Sequence, residues 1–88
     1  MAWKIELSRP AQRQLSRVDR EVARRIAHFL RDRVAPSEDP RSLGKAMQGK
    51  LAGTWAYRVG DYRLICKIED SVVTIIVIEI GHRGDIYR

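Results

Sequence analysis

One cysteine in 88 residues excludes an internal disulfide, and this usage fits a reducing compartment. Cys66 sits in an apolar strand pattern and reads as core packing. The two histidines, His28 and His82, are far apart in sequence. With a single cysteine that reads as buried, they make no metal-ligand set, and no cofactor is expected. The glycines of "LGKAMQGKLAG" lack the strand-to-helix context of a phosphate-cradling loop. No apolar run approaches the roughly 20 residues that cross a bilayer, and "MAWKIELSRP" carries charge too early for a signal-peptide core. A small cytoplasmic protein without a membrane role is expected. Acidic residues are also scarce: 11 Asp and Glu face 17 Lys and Arg, leaving a net charge of +6. That excess says little about fold but points to a polyanion or an acidic protein as partner.

What remains is enough for one core. At 44% hydrophobic, the 88 residues form a single domain, 1–88, with little stability to spare. "AWKIELS" alternates, with Trp3, Ile5 and Leu7 on one face, and predicts a half-buried first strand. Ser8 then offers an N-cap and Pro10 suits a first helical turn, so a short helix runs to about Val18. Asp19 caps a second helix, "REVARRIAHFLRDRV", with Val22, Ile26, Phe29, Leu30 and Val34 at helical spacing and Arg20, Arg24, Arg31 and Asp32 opposite. Pro36 ends it. "PSEDPRSLG" is a loop, and Leu43, Met47 and Leu51 could pin the ambiguous segment after it to the core.

From Thr54 the pattern changes to strands. "WAYRV" and "YRLICKIE" flank Gly60-Asp61, a two-residue hairpin turn, and "VVTIIVIEI" follows a turn near Asp70 and Ser71. The last run is almost continuously apolar and β-branched, which predicts cover on both faces. The expected architecture is α+β: an N-terminal strand and a two-helix hairpin packed on one face of a small antiparallel sheet.

Alternation assigns Trp55, Tyr57, Val59, Tyr62, Leu64 and Cys66 to the helix-packed face. Ala56, Arg58, Arg63, Ile65 and Lys67 take the open one. The turn length sets Arg58 directly opposite Arg63, a pair that a sheet built for stability alone would avoid. The ending "GHRGDIYR" returns to the same level, so Arg58, Arg63, His82, Arg83 and Tyr87 are expected to converge on one concave patch. Clustered guanidinium groups suit phosphate, and a rim aromatic suits an unpaired base.

Two stretches carry a resemblance. "GKLAGTWAYRVGDYRLI" and "IGHRGDIY" are similar to motifs of the RelE/ParE superfamily of bacterial toxin–antitoxin toxins, and the likeness runs along almost the whole chain. The second stretch resembles the RelE branch, the mRNA interferases. The resemblance implies metal-independent cleavage of mRNA in the ribosomal A site, where the 2′-OH attacks the adjacent phosphodiester to leave a 2′,3′-cyclic phosphate. By position, Arg63 would clamp the phosphate, Arg83 would face the leaving oxygen, and Tyr87 would orient the nucleotide. Arg58 takes a site that is a lysine in well-known members. An arginine hardly ever loses its proton, so His82 or Lys50 is expected to transfer it instead. Lys45, Lys50 and Arg88 belong to the basic surface that would seat the toxin on RNA. Where the family has a basic residue, this chain has Ala56.

The implied partners are a RelB-like antitoxin, acidic and partly disordered, and the ribosome with its A-site mRNA. Leu30 and Val34 are expected to be exposed and to form part of the antitoxin groove. The competing readings are a ParE-type inhibitor of DNA gyrase without chemistry of its own, and a decayed toxin that keeps its fold but cleaves poorly.

Overall fold

The computed structural model describes residues 2–82. Strand β1 (Lys4–Leu7) follows the alternation, with Trp3, Ile5 and Leu7 packed against the core. Helix α1 (Arg9–Arg17) starts at the Ser8 cap, whose hydroxyl accepts from the Ala11 N–H at 3.2 Å. Helix α2 (Arg20–Phe29) starts at Asp19, whose carboxylate accepts from the Glu21 N–H at 3.3 Å. Both caps satisfy backbone donors that the first helical turn leaves without partners. Beyond Phe29 the helix widens into a π-type turn, Leu30–Val34, closed by the Ala35 N–H on the Leu30 carbonyl at 2.8 Å. Leu30 and Val34, four residues apart, both face inward, at 5% and 0% exposure. The expectation that these two residues offer a surface groove is therefore corrected: they are core.

The remaining strands are β2 (Lys45–Ala46), β3 (Trp55–Val59), β4 (Tyr62–Glu69) and β5 (Thr74–His82). Strand order is β1-β5-β4-β3-β2. β2 to β5 pair antiparallel, as expected of strands joined by short turns. β1 lies parallel to β5, so the sheet is mixed. Alternation reports which face a strand buries, not its direction. Here α1 and α2 carry the chain from one edge of the sheet towards β2 at the other, and the meander then brings β5 back alongside β1.

Tyr57, Val59, Leu64, Cys66, Ile75, Val77 and Ile80 form the sheet side of the core, against Ala11, Ile26, Leu30 and Val34 of the helical layer. The face assignment from alternation thus holds in β3 and β4. In β5 the cover is uneven, with Ile75 and Val77 buried but Ile76 and Ile78 only half-buried. A bulge interrupts the β4–β5 ladder: Ile65 pairs with Glu79 and Cys66 with Val77, leaving Ile78 as the extra residue. α1 fastens it at both ends. Ser8 Oγ donates to the Ile78 carbonyl at 2.9 Å, and the Ile80 N–H donates to Gln14 Oε1 at 2.6 Å.

The segment between α2 and β3 is held by its own anchors. The Tyr57 hydroxyl donates to the Pro40 carbonyl at 2.8 Å, and Trp55 Nε1 donates to the Arg41 carbonyl at 2.9 Å. Arg41 in turn forks onto both Asp70 carboxylate oxygens, at 2.9 and 2.8 Å, which holds that carboxyl below its usual range. A 3-10 turn, Pro40–Leu43, is thereby fixed beside β3 and delivers β2 to its edge.

Candidate functional site

Gly60 has φ of 59° and Asp61 does not share the positive sign, the φ pattern of a type II′ turn. That turn sets Val59 across from Tyr62 and Arg58 across from Arg63, the register expected from the sequence. Other pairs share the face of the two arginines, on which Ala56 and Ile65 are buried and Glu79 stands opposite Ile65. Lys45 lies opposite Ala56, and Gly81 lies opposite Arg63. Since paired residues share a face and faces repeat every second residue, Lys45, Ala56, Arg58, Arg63 and Gly81 all belong to the side away from the helices. Gly81 presents no side chain to Arg63, whose Nη1 is buried.

Beside this face is a cavity of about 440 Å³, and Lys45, Met47, Ala56, Arg58 and Arg63 are among its lining residues. Among the described residues, no carboxylate lines it. Three cationic groups around a hollow of that size suit a phosphodiester, whose oxygens accept from fork-shaped guanidinium donors. Gly44, at the entry to β2, is required by close approach. A Cβ there would meet the Ala56 carbonyl oxygen and lie 2.9 Å from Tyr57 Cδ1.

A second, larger hollow of about 640 Å³ lies between α2 and the hairpin, with Arg24, Arg25, Arg33, Phe29 and Val59 in its wall. Arg58 lines both hollows. The sequence places Arg20, Arg24 and Arg31 opposite the apolar stripe of this helix; Arg25, outside that set, brings its guanidinium within 3.6 Å of where a Cβ on Gly60 would lie. The Arg25, Phe29, Arg33 spacing of four was the available signal for a stripe along that hollow.

Of the residues expected to converge, Arg58 and Arg63 meet, and Lys45 joins them. His82 does not. It pairs with Tyr62, packs its ring edge-on at 5.5 Å between centroids, and lies on the helix-bearing face. The bulge at Ile78 is the reason: without it, counting from Val77 would put His82 on the arginine face, and one extra residue flips the assignment. Lys50 is exposed in a 3-10 turn, Gly49–Leu51, and is not among the residues lining the cavity. Arg83, Tyr87 and Arg88 lie outside the described residues. Cys66 is fully buried, and burial pushes its thiol up to about 12, so it is a neutral packing group. Among the described residues, no group of three or more His, Cys, Asp or Glu gathers as a metal site, and no helix is long and apolar enough to cross a membrane.

A two-helix layer on one face of a mixed five-stranded sheet, with a cationic cavity on the other, defines a class on comparison. The family model for the ParE toxin of the type II toxin–antitoxin system parDE matches residues 5–87. Toxin RelG of Mycobacterium tuberculosis is 31% identical over 88 residues, covering 100% of this chain and 99% of that protein. Toxin RelE of the same organism is 28% identical over 86 residues, 98% and 87% of the two chains. The solved RelBE2 toxin–antitoxin complex of M. tuberculosis contains a chain 26% identical, with a TM-score of 0.86 over 97% of this chain and 95% of that one. The chain belongs to the RelE/ParE superfamily: it is a RelE-like toxin of a type II toxin–antitoxin system.

Proposed function

We propose that this toxin is a ribosome-dependent endoribonuclease that cuts mRNA in the A site and so blocks translation. The observation that carries the reading is the direct opposition of Arg58 and Arg63 on the open face, beside a cavity lined by cations. The pair is a liability for a bare sheet and an asset once a phosphate lies between its members. The 2′-OH attacks the neighbouring phosphorus, charge builds on the pentacovalent phosphate, and Arg63 with Arg58 meets that charge with pre-placed donors. By resemblance, Arg83 faces the departing 5′-oxygen and Tyr87 orients the nucleotide. Exposed Lys50 and, by resemblance, Arg88 add to the charge that seats the protein on ribosomal RNA. His82, turned to the other face beside Tyr62, is left out of the phosphate site.

The antitoxin of this pair is an acidic RelB-like protein. The reading is supported by the net charge of +6 and by the relative whose solved structure is a toxin–antitoxin complex. A second reading, inhibition of DNA gyrase in the ParE manner, is favoured by the family model that matches residues 5–87. One experiment separates them: primer extension on ribosome-bound mRNA beside a gyrase supercoiling assay, with wild type, Arg63→Ala and Arg83→Ala. Cleavage in the A site, lowered at least 100-fold by Arg63→Ala, is the expected result. Intact mRNA with blocked supercoiling would move the protein to the gyrase reading.

A further inference from the structure

Attack by a 2′-OH needs a proton acceptor, and most candidates are excluded by position or chemistry. Arg58 and Arg63 hold their protons too firmly to serve. His82 is on the opposite face. Glu79 shares the face of Arg63, opposite Ile65, but neither it nor Lys50 is among the residues lining the cavity. Cys66 is buried on the helix-packed side. Tyr57 borders the cavity, but its hydroxyl is spent on the Pro40 carbonyl and burial drives its proton affinity upward. Among the described residues that line the cavity, Lys45 is left, an ammonium whose proton exchanges where that of a guanidinium does not.

We propose that Lys45 is the general base of the cleavage, reaching the RNA across Ala56; this rests on the endoribonuclease reading above. Its placement is built into the fold. β2 has only two residues, and its pairing with β3 sets Lys45 directly opposite Ala56, one step along the same face from Arg58. The methyl group of Ala56 leaves room for a four-carbon stem to lie over β3. Gly44 lets β2 approach β3, and the Met47 N–H fixes the far side on the Thr54 carbonyl at 3.0 Å. Exposed Lys45 is free to meet a substrate, and the cavity it lines is the one lined by both arginines.

In the step, neutral Lys45 Nζ takes the proton from the 2′-OH. The O2′ electron pair forms the new bond to phosphorus, and the P–O5′ bond breaks. The departing O5′ takes a proton from water. The products are a 2′,3′-cyclic phosphate and a 5′-hydroxyl, and the lysine returns its proton to solvent. The sheet order places Lys45 on the β2 side of the arginine pair and Gly81 beside Arg63 on the β5 side. In-line displacement therefore runs across the strands, with the attacking nucleotide over β2 and β3 and the leaving oxygen towards β5.

The test is single-turnover cleavage of A-site mRNA on purified ribosomes by wild type, Lys45→Arg, Lys45→Met and Lys45→Cys, the last also after aminoethylation. Alkylated wild type is the control for Cys66, which burial protects. Ribosome affinity and melting temperature are measured for each. A base predicts a fall on the order of 100-fold or more in both Lys45→Arg and Lys45→Met, with Lys45→Arg affinity within about twofold of wild type. Aminoethylation of the Lys45→Cys variant, which rebuilds the amine, restores at least tenfold even if the other variants fold poorly. A wild-type rate in Lys45→Arg would overturn the proposal, leaving charge alone as the role. So would a loss explained wholly by affinity, or no rescue. If wild type itself leaves mRNA intact, the endoribonuclease reading fails in that first lane and the base goes with it.

Discussion

The opposed arginines make a prediction about stability as well as activity. Arg58→Gln keeps a long polar side chain on an exposed strand position and removes one of two facing charges. Residues directly across an antiparallel ladder have Cβ atoms about 5 Å apart, so the two charges at the ends of flexible stems lie ~7 Å apart. In a water-like dielectric that separation costs about 0.6 kcal/mol, and a Debye length of ~10 Å at 0.1 M salt cuts it to roughly half. For a domain of this size, about 0.3–0.6 kcal/mol corresponds to a rise in melting temperature of roughly 1–5 °C. The assay is a thermal melt of free toxin in chloride buffer at about 10 mM, 100 mM and 1 M salt, beside the ribosome cleavage assay. The variant should be more stable than wild type at low salt, indistinguishable at 1 M, and at least tenfold slower in cleavage. Added inorganic phosphate should raise the melting temperature of wild type more than that of the variant. A variant that melts lower at low salt, or whose gain persists at 1 M, would refute the claim that repulsion is tolerated for the sake of a phosphate.

Two further outcomes test the frame of the site. Gly44→Ala drives a methyl group into the Ala56 carbonyl and the Tyr57 ring, so it should cost about 1–3 kcal/mol in urea denaturation and slow cleavage even where the protein still folds. Wild-type stability in that variant would mean that β2 is not held by close approach. At alkaline pH the buried thiol matters. Folding raises Cys66 to about 12, so the stability it contributes is complete below the unfolded value of about 8.5 and is lost as pH rises towards 12. Urea titrations from pH 7 to 11 should show a decline of up to about 1.4 kcal/mol per pH unit above 8.5, and Cys66→Val should delay its onset towards the tyrosine range. An identical decline in both proteins would assign it to another group.

Much of this was legible because the signals are local. Ser8 and Asp19 announce helices by chemistry that acts within three residues. The two-residue turn at Gly60 fixes the pairing of Arg58 with Arg63 as soon as both flanks read as strands, and the alternation in β3 and β4 sorts their faces. The parallel placement of β1 was not legible, because direction depends on where two helices deliver the chain. Lys45 read only as one basic residue among many. Its two-residue strand has no pattern of its own, and its place follows from anchors at Pro40 and Arg41 that no local rule supplies.

His82 shows how a correct local reading leads to a wrong face. The end of β5 does return beside Tyr62 and Arg63, as the antiparallel arrangement requires. What sequence cannot count is Ile78, an apolar residue in an apolar run whose unpaired backbone is satisfied by Ser8 and whose neighbour Ile80 is satisfied by Gln14. Those partners are 70 and 66 residues away in the chain, so the bulge is a tertiary fact written in α1 rather than in β5. Its consequence is twofold, because flipping the strand end does more than remove the histidine from the arginine face. It also turns Gly81 towards Arg63, so that the residue beside the guanidinium has no side chain at all. A histidine there would share the hollow with the substrate and compete for its phosphate. With glycine there, no β5 side chain stands opposite Arg63, and in the proposed mechanism proton transfer falls to the β2 side of the pair, where Lys45 lies.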